Sequence, residues 1–406
     1  MRIAFLLGTF PLLSESFVLN QITGLIDRGH ELDVYAERRG APGEAHPDVH
    51  AYGLLERARF EALPQSPLLR ALQLPARLAR DPLPVGSLAR ALDVRRHGLE
   101  AASLRLLYSA LPFAPARRYD VVHAHFGANG RKAALLSEIG LLAGPLVTAF
   151  HGADVSLYPR QRGADVYAPL FRSGALFLPI SARWNDQLVA LGCPRDKIVV
   201  HRMGVDTRRF VPPAAGGKLG RSLRLVTVAR LVEKKGIEYA LRALAMLRRS
   251  GHDVEYAVAG GGPLRPALEA LARELALGAA VRWHGPLGHD QLPQLLAESD
   301  VFVAPSVTAE DGDEEGIPVS IMEGMAAGLP VVATDHSAIP ELVEDGVSGW
   351  LVAERDPEAL ADRLARLAGD PARRAAMGQA GRARVSAEFD VNRLNDRLVA
   401  LYAGLR

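Results

Sequence analysis

Two carboxylates lie eight positions apart in Glu315-Gly-Ile-Pro-Val-Ser-Ile-Met-Glu323. Pro318 suits the first turn of a helix, where its missing N–H costs nothing. A helix over about residues 318–327 sets Glu315 just before that turn and Glu323 about two turns inside it. Backbone N–H groups at a helix start attract phosphate. Met322, Ala326 and Ala327 flank Glu323, so a partly buried carboxylate is expected there. Such a group needs a partner, because an unpaired buried charge is costly. Sugar or ribose hydroxyls would serve. The same spacing also suits a capping glutamate followed by a surface helical one.

A second set is cationic. Arg230 and Lys235-Gly236 follow an apolar run at 223–229. Arginine offers a planar fork to oxygens and lysine a mobile point charge, a pairing suited to a diphosphate and equally common on a solvated surface. Gly260-Gly-Gly262 follows another run, 254–259. It allows close backbone approach to a flat ligand such as a nucleobase, or an ordinary tight turn. Gly8, His125 and His151 end three further runs, and open parallel sheets bind ligands beyond the carboxyl ends of their strands. His123 and His125 are read as facing opposite sides of their strand, so no metal pair is expected. Asp311-Gly-Asp313 is read as loop acidity.

These groups need elements to hold them. The chain reads as strand, turn, helix, strand from its start: strand 2–7 ended by Gly8-Thr-Phe-Pro11, helix 14–28 with Ser14 as N-cap, and strand 31–36. Strands at 120–125, 145–150, 175–180 and 198–201 complete the first half. Pro212-Pro213, Gly216-Gly217 and Gly220 mark a linker. Strand–helix alternation then restarts at 223. Strands at 223–229, 254–259, 281–284, 301–304 and 331–334 are expected, with closing helices over 357–368, 371–388 and 391–405. The expected domains are 1–205, a linker at 206–222 and 223–388, followed by a last helix at 389–406.

Residues 54–118 differ. They read as helices broken by prolines, with an excess of six positive charges over 56–118. Arg70, Arg77, Arg80, Arg90, Arg95 and Arg96 alternate with leucines such as Leu68, Leu69, Leu72 and Leu74. Such a segment can lie on an anionic membrane surface, or cover the sheet with its arginines snorkelling to water.

Composition excludes several classes. Of 406 residues, 49% are hydrophobic and 23% charged, with a net charge of +2. These are ordinary values for a globular protein and give no global case for nucleic acid. Cys193 is the one cysteine, so no internal disulfide forms. No apolar run approaches the ~20 residues that span a bilayer. The N-terminus reads as a strand, not a signal peptide. A Gly-x-Gly-x-x-Gly fingerprint is missing after the first strand, which argues against a dinucleotide cofactor.

Taken together, Arg230…Lys235-Gly236, Gly260-Gly-Gly262 and the Glu315/Glu323 pair resemble the family 4 retaining glycosyltransferases. That resemblance implies an α/β GT-B architecture, two Rossmann-like domains facing across a cleft, with the last helix, 389–406, crossing back to the first domain. Thr9-Phe-Pro-x-x-Ser-Glu-Ser-Phe17, His123-Ala-His-Phe-Gly127 and Asp311-Gly-Asp-x-Glu-Gly-Ile-Pro318 look like its exopolysaccharide and colanic-acid branch. The implied roles follow position by position. Arg230 and Lys235 hold the donor diphosphate. Glu315 holds donor sugar hydroxyls, and His151 contacts that sugar. Glu323 accepts from the ribose. Gly8, Gly261, Leu287, Ile317, Pro318 and Val319 surround the rest of the donor. His125, Phe10 and Glu15 lie on the acceptor side. The first loop departs from relatives that carry Gly-Gly there. No metal or other cofactor is implied. The implied partners are a nucleotide-sugar (UDP first, GDP second), a glycan or lipid-linked glycan acceptor and an anionic membrane surface, at the inner face of the cytoplasmic membrane. A nucleotide-sugar epimerase and a non-catalytic carbohydrate-binding module are the competing readings.

Overall fold

The computed structural model describes residues 1–12, 15–41, 46–212, 222–288 and 290–405. The chain packs as two units. Unit 1 comprises Met1–Ile180, Trp184–His201 and Asn395–Arg406; unit 2 comprises Ser181–Arg183 and Arg202–Leu394. The expected N-cap Ser14 and linker residues 213–221 lie outside the described residues. Residues 206–212 begin with the Asp206 side chain accepting from Arg208 N–H at 3.0 Å and then bury Phe210.

Unit 1 is built on β1 (Arg2–Phe10), β2 (Glu31–Arg39), β3 (Ala58–Phe60), β4 (Val121–His125), β5 (Leu146–Phe150) and β6 (Leu176–Pro179). They pair in parallel in the order β3-β2-β1-β4-β5-β6. Unit 2 repeats the plan with β7 (Leu223–Val228), β8 (Val254–Ala259), β9 (Val281–Gly285), β10 (Val301–Ala304), β11 (Val331–Thr334) and β12 (Gly349–Val352). Its order is β9-β8-β7-β10-β11-β12. In each sheet the order reverses beside the first strand, so the loops after β1 and β4, and after β7 and β10, flank a topological switch point. The central strands are short apolar runs buried along their whole length, such as Val301–Ala304 and Val331–Thr334. Parallel strands covered on both faces require that.

Helices α1 (Ser16–Asp27), α2 (Pro67–Arg80), α3 (Gly127–Glu138), α4 (Ile237–Arg249), α5 (Val319–Ala326) and α6 (Val391–Ala403) bear on the site. In α4, Ile237, Ala240, Leu241, Leu244 and Leu247 recur at helical spacing and pack into the unit 2 core. The end of α6 belongs to unit 1, where Leu398 and Tyr402 are fully buried in its core. A Cβ on Gly24 of α1 would lie 2.0 Å from the Asn395 amide. Only glycine allows that approach, and Asn395 donates to the Asn20 carbonyl at 3.2 Å.

Three expectations are corrected. β1 does not stop at Leu7: Thr9 and Phe10 pair with Arg38 and Arg39. Gly8 is therefore a strand residue. Phe10, 3% exposed in the core, carries the strand onward, because its apolar burial outweighs one glycine's loosening of the strand. Residues 198–201 form no strand; Val199 and His201 merely donate to the Phe177 and Pro179 carbonyls along β6. Conversely, β3 appears inside the segment read as purely helical.

That segment also sorts its arginines. Arg70 is buried and donates to the Pro64, Gln65 and Ser103 carbonyls at 2.9, 3.2 and 2.8 Å. Arg90 donates twice to the Ile139 carbonyl, and Arg96 pairs with Glu138. Arg70 and Arg90 are thus structural staples, not surface cations free to meet lipid.

Candidate active site

The loops around the unit 2 switch point bring together residues from four places in the sequence. Lys234 and Lys235 sit in a single 3-10 turn, Glu233–Lys235, beyond β7. Gly236 follows with φ +59, and a Cβ there would meet the Pro305 carbonyl oxygen at 1.9 Å. Glycine thus lets the cationic turn lie against the loop leaving β10. Across that contact, Lys235 Nζ donates to Glu315 Oε2 at 2.5 Å and Lys234 Nζ lies 3.3 Å from Glu315 Oε1. Lys234 also pairs with Asp313 at 3.0 Å and donates to the Glu314 carbonyl.

Glu315 is buried. Burial alone would raise its pKa, but Lys235 and Lys234 outweigh it and hold the carboxyl at about 2. Its backbone is fixed as well. Glu315 N–H donates to His336 Nε2 at 3.1 Å, which places the ring proton on Nδ1, 2.5 Å from Glu354 Oε1. Glu354 accepts in turn from Thr308 N–H at 2.9 Å. Ser337 hydroxyl donates to the Glu315 carbonyl at 2.6 Å.

Arg230 lies exposed at the end of β7, with no side-chain partner among the described residues. Its loop is shaped by the triple glycine. Added Cβ atoms at Gly260 and Gly262 would fall 1.8 Å from the Ala229 carbonyl oxygen and 2.5 Å from that of Leu231. Gly261 accepts from Leu231 N–H at 2.8 Å. Gly260 and Gly262 are thus committed to backbone packing under Arg230, while Gly261 and Leu287 keep partial exposure.

α5 runs from Val319 to Ala326 with Pro318 at its N-cap position. Ile317 and Pro318 are buried, Val319 and Ser320 half-buried. The first N–H groups of a helix have no intrahelical acceptor. Glu323, on α5, keeps some exposure, yet burial pushes its carboxyl up to about 7 against the pull of Arg209. It accepts no hydrogen bond from a described residue, as a group left for a ligand would.

Unit 1 carries a histidine column at its own switch point. His123 and His125 stack with ring centroids 4.6 Å apart, and His125 with His151 at 5.1 Å. Residues two apart in a strand share a face, so the expectation that they face opposite sides is wrong. His125 Nδ1 and His151 Nε2 share a hydrogen bond of 3.0 Å. His123 Nδ1 bonds the Tyr402 hydroxyl of α6. Phe17 and Phe126 flank His151. Burial holds His151 at about 3 and His201 at about 4, and keeps His123 and His125 well below the ordinary range. Neutral imidazoles suit sugar hydroxyls, to which they both donate and accept, better than phosphate. Asp154 ties the two loops, accepting from Gly127, His151 and Gly152 N–H at 3.0, 2.9 and 2.8 Å. Phe126, at φ +69 without being glycine, is the strained residue of this turn.

The structure gathers Glu315 and Lys235 in one cluster, with Arg230 on the loop after β7 and Glu323 on α5. In unit 1 it gathers His125 and His151. Gly8 lies in β1 toward Asn129, whose amide donates to the His125 carbonyl at 2.8 Å. Phe10 and Glu15 line a small recess with His46, and Phe10 there is chiefly a core side chain. Lys234, His336, Glu354 and Asp154 were missed. The Lys234-Lys235 doublet and the His151-Gly-Ala-Asp154 run were visible signals; His336 and Glu354 left none. Among the described residues, no group of three or more His, Cys, Asp or Glu is placed to hold a metal ion.

Residues 14–209 match the model of Glycosyltransferase Family 4 and residues 214–384 that of Glycosyl transferases group 1. The chain is 42% identical to a protein named as the colanic acid biosynthesis glycosyltransferase WcaL of Salmonella typhimurium, over 90% of each chain. It is 38% identical to the amylovoran biosynthesis glycosyltransferase AmsK of Erwinia amylovora, over 96% of each. Among solved structures it is similar to Anabaena HepE in complex with UDP and glucose, with TM-score 0.73, 20% identity and 100% of both chains covered.

Proposed function

Because this chain belongs to glycosyltransferase family 4 and has the GT-B fold, we propose that its unit 2 holds a nucleotide-sugar donor and its unit 1 a glycan acceptor. The enzyme is a glycosyltransferase; the relatives are named as such and support neither an epimerase nor a non-catalytic module. The carrying observation is the Lys234–Glu315–Lys235 cluster at the unit 2 switch point, on the same loop after β7 as Arg230, which is exposed and has no side-chain partner among the described residues. In transfer, the bond from the anomeric carbon to the diphosphate breaks, and a bond to an acceptor hydroxyl forms on the same face. Negative charge develops on the leaving diphosphate, and cations aimed at it lower the barrier. Lys234 is the more enclosed cation, with 9% of its side chain exposed against 15% for Lys235. Lys234 therefore anchors Glu315, while Lys235 and Arg230 reach the diphosphate. Glu315, ionised at all working pH values, accepts from donor sugar hydroxyls. Glu323 accepts from the ribose, and N–H groups of Val319 and Ser320 meet phosphate. His151 and His125 serve sugar hydroxyls.

The acceptor is a lipid-linked glycan in exopolysaccharide assembly, met at the cytoplasmic membrane face. No helix among the described residues is long and apolar enough to cross a membrane. UDP is the first donor nucleotide to test and GDP the second, with catalysis independent of metal. Thermal shifts with UDP, GDP and ADP, without and then with magnesium, test the donor half. One nucleotide should stabilise the protein equally in both conditions and fail to do so in Lys235→Ala. No shift with any nucleotide would overturn the donor assignment.

A further inference from the structure

The loops at the carboxyl ends of four neighbouring unit 2 strands, β7, β10, β11 and β12, are tied into a closed ring. Glu315 and Thr308 lie beyond β10, His336 beyond β11, Glu354 beyond β12 and Lys234 beyond β7. Glu315 N–H donates to His336 Nε2 at 3.1 Å, and His336 Nδ1 lies 2.5 Å from Glu354 Oε1. An amide N–H only donates, so Nε2 carries no proton and the Nδ1 proton goes to Glu354. Glu354 Oε2 accepts from Thr308 N–H at 2.9 Å. The preceding residue, Val307, donates its N–H to the Lys234 carbonyl at 2.9 Å. The ion pairs of Lys234 and Lys235 with Glu315 close the ring.

Each backbone in the ring is gripped twice. His336 accepts the Glu315 N–H while the Ser337 hydroxyl donates to the Glu315 carbonyl at 2.6 Å. Glu354 accepts the Thr308 N–H while Arg355 donates to the Thr308 carbonyl at 2.6 Å. The second member of each grip is strained: Ser337 has φ +50 and Arg355 φ +58, and neither is glycine. Such conformations persist only where the surroundings over-determine them. Burial alone would raise the Glu354 carboxyl, but the Thr308 N–H and His336 hold it below its ordinary range. An ionised carboxylate only accepts, which is what both of its links need. Lysine is a mobile charge on a flexible stem, and a cation stabilises a leaving group best when it is set in place beforehand.

We infer that His336 and Glu354 are positioning residues of the transfer reaction: the ring they close holds the Lys234-Lys235 turn and Glu315 at the separation that the donor diphosphate and its sugar require. The inference rests on the donor reading above and adds to it two side chains that reach the donor only through others.

The test is titration calorimetry of the full chain with UDP, and in a parallel series with GDP, on the wild type and on Glu354→Gln, His336→Asn, His336→Gln and Lys235→Ala. Glu354→Gln, at a side chain 25% exposed, keeps the shape of the residue but leaves one oxygen for two donors. It should weaken nucleotide binding about tenfold, as loss of one hydrogen bond to a charged group does. His336→Asn is too short to accept from Glu315 N–H and should lose as much. His336→Gln carries an amide oxygen out to the Nε2 position and should bind several times more tightly than His336→Asn. Lowered thermal midpoints with wild-type nucleotide affinity in Glu354→Gln and His336→Asn would make the ring a brace for the fold alone and overturn the inference. So would equal losses in His336→Gln and His336→Asn. The imidazole nitrogen NMR spectrum of the ligand-free wild type should show His336 protonated on Nδ1 only; a proton on Nε2 would overturn the ring itself. Lys235→Ala reports the donor reading separately: wild-type affinity there, or no binding of either nucleotide by the wild type, would overturn that reading and the function inferred for the ring with it, whatever the nitrogen spectrum shows.

Discussion

Glu315 is gripped by two lysines whose removal should have different consequences. Lys235→Ala takes a cation from the diphosphate, and kcat should fall by about 10²–10³ with the fold retained, as loss of one charge-stabilising donor does. Lys234→Ala leaves Glu315 with Lys235 alone and Asp313, which is half-buried, without this partner, so stability should fall by about 1–3 kcal/mol, read by chemical denaturation. Because Glu315 is held at about 2, its contribution to stability is present above the ordinary carboxyl range and lost as pH falls from about 4.5 toward 2. Glu323 has the opposite sign. Raised to about 7, it loses stability for the fold as pH rises from about 4.5 through 7, and gains the ionised form a ribose needs. The donor KM should therefore climb as pH drops below about 7, and a flat KM profile would remove Glu323 from ribose binding. Glu315 and Lys235 stood out by type and spacing and meet in the structure, while Arg230 stays on the loop after β7 and Glu323 on α5. Lys234 was hidden by its neighbour, and His336 by the distance in sequence to the group it orients.

At the scale of elements, glycines decide where the cations point. Gly236→Ala would drive a Cβ toward the Pro305 carbonyl at 1.9 Å, and Gly260→Ala toward the Ala229 carbonyl at 1.8 Å, each at positive φ. Both contacts are backbone, which cannot rotate away. Either variant should lower Tm by several degrees, consistent with strain above ~1 kcal/mol, and weaken nucleotide binding even where folding survives. Gly261→Ala meets only Pro286 at 3.3 Å and should be mild, so equal losses at all three glycines would contradict this account. The strands of both sheets were readable because parallel strands buried on two faces are apolar runs ended by punctuation. β3 was not: three half-buried residues, including Arg59, carry no such run and gain their order from pairing with β2. The histidine column was misread for a different reason, a face assignment that contradicts strand geometry.

For the molecule as a whole, the last helix is the least modular part. Leu398 and Tyr402 complete the core of unit 1, and Asn395 docks into the space left by Gly24. Leu398→Ala should cost about 2–5 kcal/mol. Hydrogen exchange should speed at amides of β1 and α1 while those of β7 to β12 stay protected. Uniform acceleration in both sheets would show that α6 does not serve unit 1 in particular. The double strand–helix plan was legible from the recurring apolar runs; that residues 395–402 fill a core begun nearly 400 residues earlier is a matter of packing that no local pattern encodes. The order of synthesis then matters. The ribosome finishes residue 201 roughly 10–40 s before residue 395, at ~5–20 residues/s. During that wait the face of α1 that receives Asn395 and the core space that Leu398 fills have no cover, so the nascent first half is an unfinished domain. The same geometry sets the cutting points for building chimaeras: exchanging unit 2 between relatives requires two junctions, with residues 395–402 kept beside the unit 1 core they complete.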